Sequence, residues 1–230
     1  LLVGNFEGVT SDVSTKTGKE SLHFRVSPSM LRHIHHADFY GLANNHAMQH
    51  GCEAYKQSVD ALEGFGCKVF GSDDNRSVVF DHQGRKVSLT GFSQRIDAWS
   101  KNPAYWHNPE YTAIEEELKK LPNDAYKIVY VHWGNEFINY PSSQQKRFAH
   151  WLIDEGFDLV VGMHPHVLQG YELYNGKYIF YSIGNFVFDM AWEPTRFGVI
   201  VDVDFVNKHP VIDYDYVRIE RDFSPRVIGA

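Results

Sequence analysis

The sequence predicts a layered α/β fold with a mixed two-sheet core and helices outside it. Short apolar segments alternate with amphipathic ones along the 230 residues, which is the pattern of an α/β chain. In the second half, Asn175-Gly176 separates two strand-like segments, and this dipeptide is a strong signal for an antiparallel hairpin. Strand-like segments follow at residues 198–205 and 211–219. Several antiparallel strands fit a two-sheet core better than a single parallel sheet.

The other elements follow in order along the chain. Apolar segments bounded by turn residues are predicted strands, at residues 1–4, 38–43, 67–70, 77–80, 87–90, 127–131, 159–161, 171–174 and 177–181. Helices are predicted at residues 28–36, which follow Ser27 as an N-cap, at 51–65, from apolar residues near helical spacing, at the charged segment 112–121, and at 142–155. Gly66, Pro122 and Gly156 end three of these helices. Because no linker or low-complexity segment divides the sequence, we expect a single domain over residues 1–230.

Composition narrows the classes of function. The chain has 22 Lys and Arg against 29 Asp and Glu, a formal net charge of −7. Binding to a phosphate backbone needs clustered basic residues, so we expect no nucleic-acid partner. Cys52 and Cys67 are the only cysteines, and they lie at opposite ends of a predicted helix. Their Cα atoms should be ~20 Å apart, beyond the ~7 Å limit for a disulfide, so we expect two free thiols. No apolar run is long enough to cross a membrane, and no signal peptide is visible.

Three predicted strands end in potential metal ligands. These side chains are Asn45, His46, His132, His164 and His166. In open α/β folds, ligands bind beyond the carboxyl ends of the strands. Neutral imidazole is a common metal ligand and suits Zn, Mn and Fe. If the chain stays extended after residue 161, His164 and His166 point the same way, because side chains alternate along a strand. The pattern therefore predicts a metal site at these strand ends.

A denser histidine cluster has a different interpretation. His33, His35 and His36 fall on a predicted helix with no acidic ligand beside them. Metal sites usually combine such histidines with further ligands from other elements. We interpret this cluster as surface.

Five motifs in a fixed order resemble those of the CapA-like family of bacterial capsule-synthesis proteins. They are Asn5-Phe6-Glu7, Ala43-Asn44-Asn45-His46, His132-Trp133-Gly134-Asn135-Glu136, Gly162-Met163-His164-Pro165-His166 and Ser182-Ile183-Gly184-Asn185-Phe186. The resemblance runs from about Asn5 to Asp189. That family is associated with poly-γ-glutamate capsule synthesis and is similar in fold to the calcineurin-like metallophosphoesterases. The resemblance therefore implies their layered α/β/β/α fold, with a two-sheet core and flanking helices.

The resemblance also implies roles for individual residues. The implied ligands of one or two divalent metal ions (Mn, Zn or Fe) are Glu7, Asn45, His132, His164 and His166. His46 is implied as the group that aids attack or protonates the leaving group, and Glu136 as an outer-shell or substrate-contacting group. The implied substrate contacts are Asn44, Trp133, Ser182 and Asn185. A structural turn built around Gly184 explains Ser182 and Asn185 equally well.

Two departures from the family pattern bear on function. The family begins with a strand ending in Gly-Asp, whose aspartate is a metal ligand, and nothing before Leu1 supplies it. We therefore expect a domain that lacks its first strand and has one incomplete metal site. The family also tends to carry an acidic residue shortly after Asn-Asn-His, where this chain has Gln49. This change removes a charge from the outer shell of the site.

Two functions follow from these observations. The resemblance implies metal-dependent hydrolysis of a phosphoester, or action on an anionic γ-linked glutamate polymer, at the cell surface with membrane-bound capsule-synthesis partners. The alternative is a non-catalytic scaffold, anchoring or polymer-binding component that keeps the fold. The two departures favour the alternative. His132, His164 and His166 oppose it, since a scaffold has no need of three converging imidazoles.

Overall fold

The computed structural model describes residues 1–13, 24–34 and 37–229, without the side chains of residues 33 and 34. The predicted surface cluster of His33, His35 and His36 is not described, since the structure leaves out the side chain of His33 and residues 35 and 36 altogether. The chain divides into two compact units, one of Leu1–Val78 and Leu89–Glu117 and the other of Val79–Ser88 and Leu118–Ala230. The single domain expected over residues 1–230 stays a prediction.

The first unit contains short strands and two helices. Its strands are β1 (Val3–Asn5), β2 (Val9–Thr10), β3 (Arg25–Val26), β4 (Phe39–Gly41) and β5 (Lys68–Phe70), and its helices are α1 (Pro28–Ile34) and α2 (Gly51–Gly64). A parallel sheet has the order β1-β4-β5, and β2 pairs in parallel with β3. α2 buries Ala54, Tyr55, Ser58 and Leu62, which lie on one face at helical spacing. The chain leaves α2 through Gly66, which has a φ of 84°.

Three elements have residues in both units. They are β6 (Ser77–His82), β7 (Arg85–Ser93) and α3 (Tyr111–Lys120). β7 is buried along most of its length, including its polar residues Ser88, Thr90 and Ser93.

The second unit holds most of the larger sheet. Its further elements are β8 (Tyr126–His132), α4 (Ser143–Glu155), β9 (Leu159–Met163), β10 (Leu168–Tyr174), β11 (Lys177–Ile183), a short 3-10 helix (Glu193–Arg196), β12 (Phe197–Val206), β13 (His209–Ile219) and β14 (Pro225–Gly229). In the described residues, a six-stranded sheet has the order β10-β11-β9-β8-β7-β6, and β12, β13 and β14 form an antiparallel sheet. β9 is parallel to both β8 and β11, while β10 is antiparallel to β11. The fold is therefore a mixed α/β fold with several sheets, as predicted.

Two predictions for the second unit are confirmed, namely the hairpin at Asn175-Gly176 and the end of a helix at Gly156. Asn175 and Gly176 have φ of 49° and 75° and connect the paired residues Tyr174 and Lys177, which is the geometry of a two-residue hairpin. α4 begins with a capping box, in which the Ser142 hydroxyl accepts from the Gln145 N–H. It ends at Gly156 with a φ of 122°.

Several elements were not predicted, and their lengths explain why. β2 and β3 have two residues each, too few to show a period.

The cysteine prediction is confirmed, since Cys52 is exposed, Cys67 is buried and both are free thiols. Among the residues that the structure describes, no helix has both the length and the apolar character needed to cross a membrane.

Candidate metal centre

Two parallel strands bring the first pair of histidines together. β8 and β9 pair so that His132, the last residue of β8, lies opposite Met163, the last residue of β9. His164 follows directly, and its Nδ1 lies 3.1 Å from Nε2 of His132. Both side chains are buried, and the ring centroids are 4.7 Å apart. Nitrogens bound to one tetrahedral Zn²⁺ at ~2.0–2.1 Å would lie about 3.3 Å apart, so this spacing suits a shared ion.

The His164-Pro165-His166 segment differs from its predicted conformation. β9 ends at Met163, and His164 and His166 have φ of 99° and 58°. The expectation that an extended strand aligns the two side chains was therefore wrong, because the backbone turns at both histidines. The rings nonetheless lie 6.1 Å apart between centroids, and both are buried. Positive φ at non-glycine residues is uncommon and is often found at functional sites.

Asn185 fixes the orientation of His166. Its Nδ2 donates to the carbonyl oxygen of Thr195 at 3.0 Å and lies 3.4 Å from that of His166. Its Oδ1 therefore faces His166 Nδ1, at 2.9 Å. An amide oxygen can only accept, so Nδ1 carries the hydrogen and Nε2 keeps its lone pair. Such a contact is typical of a histidine that binds a metal ion through its other nitrogen.

Glu136 joins the two histidines of the turn. Ligand atoms of Glu136, His164 and His166 all lie within 4.8 Å of one another, with the carboxylate exposed and both imidazoles buried. The resemblance gave Glu136 an outer-shell or substrate role, whereas this spacing also allows it to bind a metal directly. Gly134, with a φ of 77°, and Phe137, with a φ of 64°, shape the loop around it. The Phe137 N–H donates to the Pro165 carbonyl at 2.8 Å and ties the loop to the histidine turn.

A pair of buried glutamines supports the same loop. Gln145 Nε2 donates to Gln169 Oε1 at 3.0 Å. Gln169 Nε2 in turn donates to the carbonyl oxygens of Ile138 at 2.8 Å and Tyr140 at 3.2 Å. A Cβ at Gly134 would lie 2.7 Å from Gln145 Nε2, so the loop needs glycine there. Sequence analysis missed both glutamines, although Gln169, the second residue of β10, lies only three residues after His166.

Trp133 and Ser182 pack beneath the centre. Trp133 is buried, and its Nε1 donates to the Tyr181 carbonyl at 2.8 Å. A Cβ at Gly162 would lie 2.2 Å from that carbonyl oxygen, so only glycine fits at this point of β9. Ser182 Oγ donates to the Val167 carbonyl at 2.8 Å. These contacts give Trp133 and Ser182 structural roles, and their predicted substrate contacts stay predictions.

Glu172 extends this support toward α4. The Tyr181 hydroxyl donates to Glu172 Oε2 at 2.8 Å, and His150 Nε2 lies 2.8 Å from Oε1. These contacts lower the pKa of the Glu172 carboxyl, the Tyr181 hydrogen bond most of all. Burial raises the pKa of the Tyr181 hydroxyl, which is therefore neutral at pH 7. The result is a charged, hydrogen-bonded link between α4, β10 and β11.

The first unit holds the remaining predicted site residues. Glu7 Oε2 accepts from the Asn5 side chain at 3.1 Å. Asn44 is buried, and its amide donates to the Phe6 carbonyl at 2.8 Å while its oxygen accepts from the His46 N–H at 3.1 Å. Asn45, in the turn between Asn44 and His46, is half-buried. Asn44 thus holds the turn that presents its two neighbours, and its predicted substrate contact stays a prediction.

Gln49 orients His46. Its Oε1 lies 3.2 Å from His46 Nδ1 and 3.4 Å from the Phe24 N–H, which donates to it. The His46 ring also lies 3.9 Å from the Phe24 ring, between centroids. The amide oxygen thus makes, without a charge, the contact that an acidic residue would make. The predicted convergence of this turn with His132, His164 and His166 in one pocket stays a prediction.

Comparisons with known sequences identify related capsule proteins. A family model described as bacterial capsule synthesis protein PGA_cap matches residues 1–190. PGA biosynthesis protein CapA from Bacillus subtilis (strain 168) is 33% identical over 218 residues, 87% of this chain and 56% of that protein. Capsule biosynthesis protein CapA from Bacillus anthracis is 30% identical over 216 residues, 86% of this chain and 53% of that protein. The chain thus spans about half the length of these relatives.

Solved structures share the fold at low sequence identity. A putative 5′-nucleotidase from Staphylococcus aureus matches 96% of this chain and 56% of its own, with a TM-score of 0.56 and 12% identity. A phosphatase from Mycoplasma pneumoniae matches 88% of this chain and 74% of its own, with a TM-score of 0.51 and 12% identity. The likeness is one of fold, and it confirms the predicted α/β fold class, which these two proteins share.

Proposed function

The chain belongs to the family of the bacterial capsule synthesis protein PGA_cap, and on that basis we propose that it is a metal-dependent phosphoester hydrolase. The observation that carries the proposal is the group of Glu136, His164 and His166, whose ligand atoms lie within 4.8 Å of one another. The names of the Bacillus relatives connect those proteins with PGA or capsule biosynthesis. We extend to this chain a role in making or exporting poly-γ-glutamate or a similar anionic polymer, at the cell surface with membrane-bound partners.

The donor set fits a divalent transition metal. Two imidazole nitrogens and one carboxylate oxygen suit Zn, Mn or Fe better than Mg or Ca, which prefer oxygen ligands. His132 adds a third nitrogen beside His164. We propose that Glu7 and Asn45 complete the ligands of one or two ions.

The chain's own residues would divide the work of hydrolysis. A bound divalent ion supplies Lewis acidity and lowers the pKa of water. In the reaction, a water molecule would give up one proton to solvent as its oxygen bonds to phosphorus, the ester P–O bond would break, and the leaving oxygen would take a proton. We assign that proton to His46, whose contact with Gln49 leaves Nε2 as the nitrogen that can carry it. Asn185 keeps His166 in one tautomer throughout.

Hydrolysis of bis(p-nitrophenyl) phosphate with Mn²⁺ or Zn²⁺ tests the proposal. We expect slow turnover that needs the metal and is lost in His164→Ala. The matched control is His209→Ala, because His209 is an exposed histidine on β13. Equal rates for the parent and His164→Ala would place the activity elsewhere.

A non-catalytic component of the capsule machinery is the second candidate. Gln49 favours it, since a neutral amide contacts His46 where the family tends to carry an acid. A carboxylate there would stabilise the imidazolium form, and the amide does so less. Stoichiometric metal binding without turnover of any phosphoester would favour this candidate over the hydrolase.

A further inference from the structure

Two loops of the second unit place exposed apolar side chains beside the candidate metal centre. They run over residues 135–141 and 185–194. Their exposed apolar residues, here called the aromatic rim, are Phe137, Ile138, Tyr140, Phe186, Val187 and Trp192. Each exposes between 38% and 67% of its surface. Clusters of exposed apolar side chains are uncommon and often mark a binding surface.

The rim is continuous with the metal ligands. Phe137 follows Glu136 in the chain, and its ring centroid lies 6.4 Å from that of His166. Trp192 packs edge-to-face on Phe137 with a centroid distance of 5.7 Å. Phe188, from the second loop, lies 4.9 Å from the His166 ring. A group bonded to an anion on a metal ion held by Glu136 and His166 would therefore extend over these rings.

The backbone conformation of Phe137 indicates that this residue does more than pack against its neighbours. Its φ of 64° is in the left-handed region, which bulky side chains rarely adopt. Its N–H donates to the Pro165 carbonyl, which holds the strained conformation. The side chain is 43% exposed, so burial offsets little of the strain. Strain of this kind is typical of residues that contact a ligand.

The charges of the two loops disfavour a polyanion as the group that lies on the rim. Residues 135–141 and 185–194 contain Glu136, Asp189 and Glu193 and no Lys or Arg, and of these three acidic residues Glu193 pairs with Arg218 at 2.9 Å. A γ-linked glutamate chain on this surface would place carboxylates against rings and acidic side chains. An uncharged apolar group meets no such repulsion and buries apolar surface.

We propose that the aromatic rim binds an uncharged apolar group directly attached to the anion at the metal centre. The substrate class is therefore an alkyl or aryl phosphoester, and not the anionic polymer itself. This inference rests on the proposed hydrolase function for the location of the anion. It assigns Phe137 and Trp192 to recognition of the ester group.

Isothermal titration of the metal-loaded full chain tests this assignment. The ligands are 1-naphthyl phosphate, octyl phosphate, glycerol phosphate and a γ-linked glutamate oligomer. We expect at least one apolar ester to bind about tenfold more tightly than glycerol phosphate. If 1-naphthyl phosphate binds more tightly than octyl phosphate, the rim prefers a flat aromatic group. The reverse order indicates that it prefers an alkyl chain. Phe137→Ala and Trp192→Ala should reduce the preference by about three- to tenfold and leave glycerol phosphate binding unchanged.

One control variant and two contrary outcomes complete the binding test. Leu173→Ala removes another exposed apolar side chain, from β10 outside the rim, and should leave all four affinities unchanged. Equal affinities for the apolar and polar ligands, or an equal loss for all ligands in Trp192→Ala, would overturn the inference. Turnover of naphthyl phosphate is measured separately. A binding preference without turnover supports apolar recognition by the rim and refutes the hydrolase function. Turnover without a binding preference supports the hydrolase function and refutes apolar recognition by the rim.

Discussion

Replacing Gln169 with Leu would remove the group that ties the Glu136 loop to α4. The Gln169 amide accepts from Gln145 and donates to the carbonyls of Ile138 and Tyr140, at 2.8–3.2 Å. Each such bond contributes about 1 kcal/mol, and a buried amide left without its acceptor costs about 1–3 kcal/mol. Leu returns part of this through apolar burial. We therefore expect the free energy of unfolding to fall by about 3 kcal/mol.

The loop geometry makes a second effect of Gln169→Leu measurable. A Glu136 carboxylate that is no longer held in place should reduce metal affinity about 10- to 100-fold. Urea unfolding gives the stability, and titration of the folded metal-free protein with Mn²⁺ gives the affinity. Gln144→Leu changes an exposed glutamine on α4 and is the matched control. It should change neither the stability nor the Mn²⁺ affinity. A loss of stability below about 0.5 kcal/mol, or unchanged Mn²⁺ affinity, would refute the proposed support of the loop.

Further substitutions probe the other contacts of the second unit. Asn185→Ala should weaken metal binding about 10- to 100-fold by releasing His166, measured by the same titration; full affinity would contradict that role. Gly162→Ala places a Cβ 2.2 Å from the Tyr181 carbonyl oxygen, and thermal unfolding should show a loss of about 3 kcal/mol. The lowered pKa of Glu172 means that its ionised form stabilises the fold above its unfolded pKa and loses this effect as pH falls through the lower folded value. In urea unfolding, Glu172→Gln should therefore be less stable than the parent at pH 7, and the difference should shrink as the pH falls below the unfolded pKa of the glutamate.

Features set by neighbouring residues in the chain could be predicted. The Asn175-Gly176 hairpin was predicted because those two residues readily adopt positive φ. His132 and His164 were placed together because both follow apolar segments, and parallel strands align their carboxyl ends. These predictions needed only residue type, spacing and the order of strands.

Features set by distant contacts could not be predicted in the same way. The turn at His164 and His166 depends on positive φ values, whereas local pattern favoured an extended strand. Gln169 contacts Gln145, 24 residues away on another element, so its role has no local signal. Phe137 is likewise held by a carbonyl from a separate loop. The sequence therefore identifies His132, His164 and His166 as candidate ligands, but not the contacts that orient them.

The metal content of the chain, purified without chelator, tests the central claim most directly. Elemental analysis should find Mn, Zn or Fe at about one ion or more per chain. This is the metal content expected of a site built from imidazole and carboxylate ligands. The double variant His164→Ala/His166→Ala should lose that metal while remaining folded, and His209→Ala should retain it. A parent protein that binds none of these ions when they are supplied in excess, or a double variant with full metal content, would contradict the account.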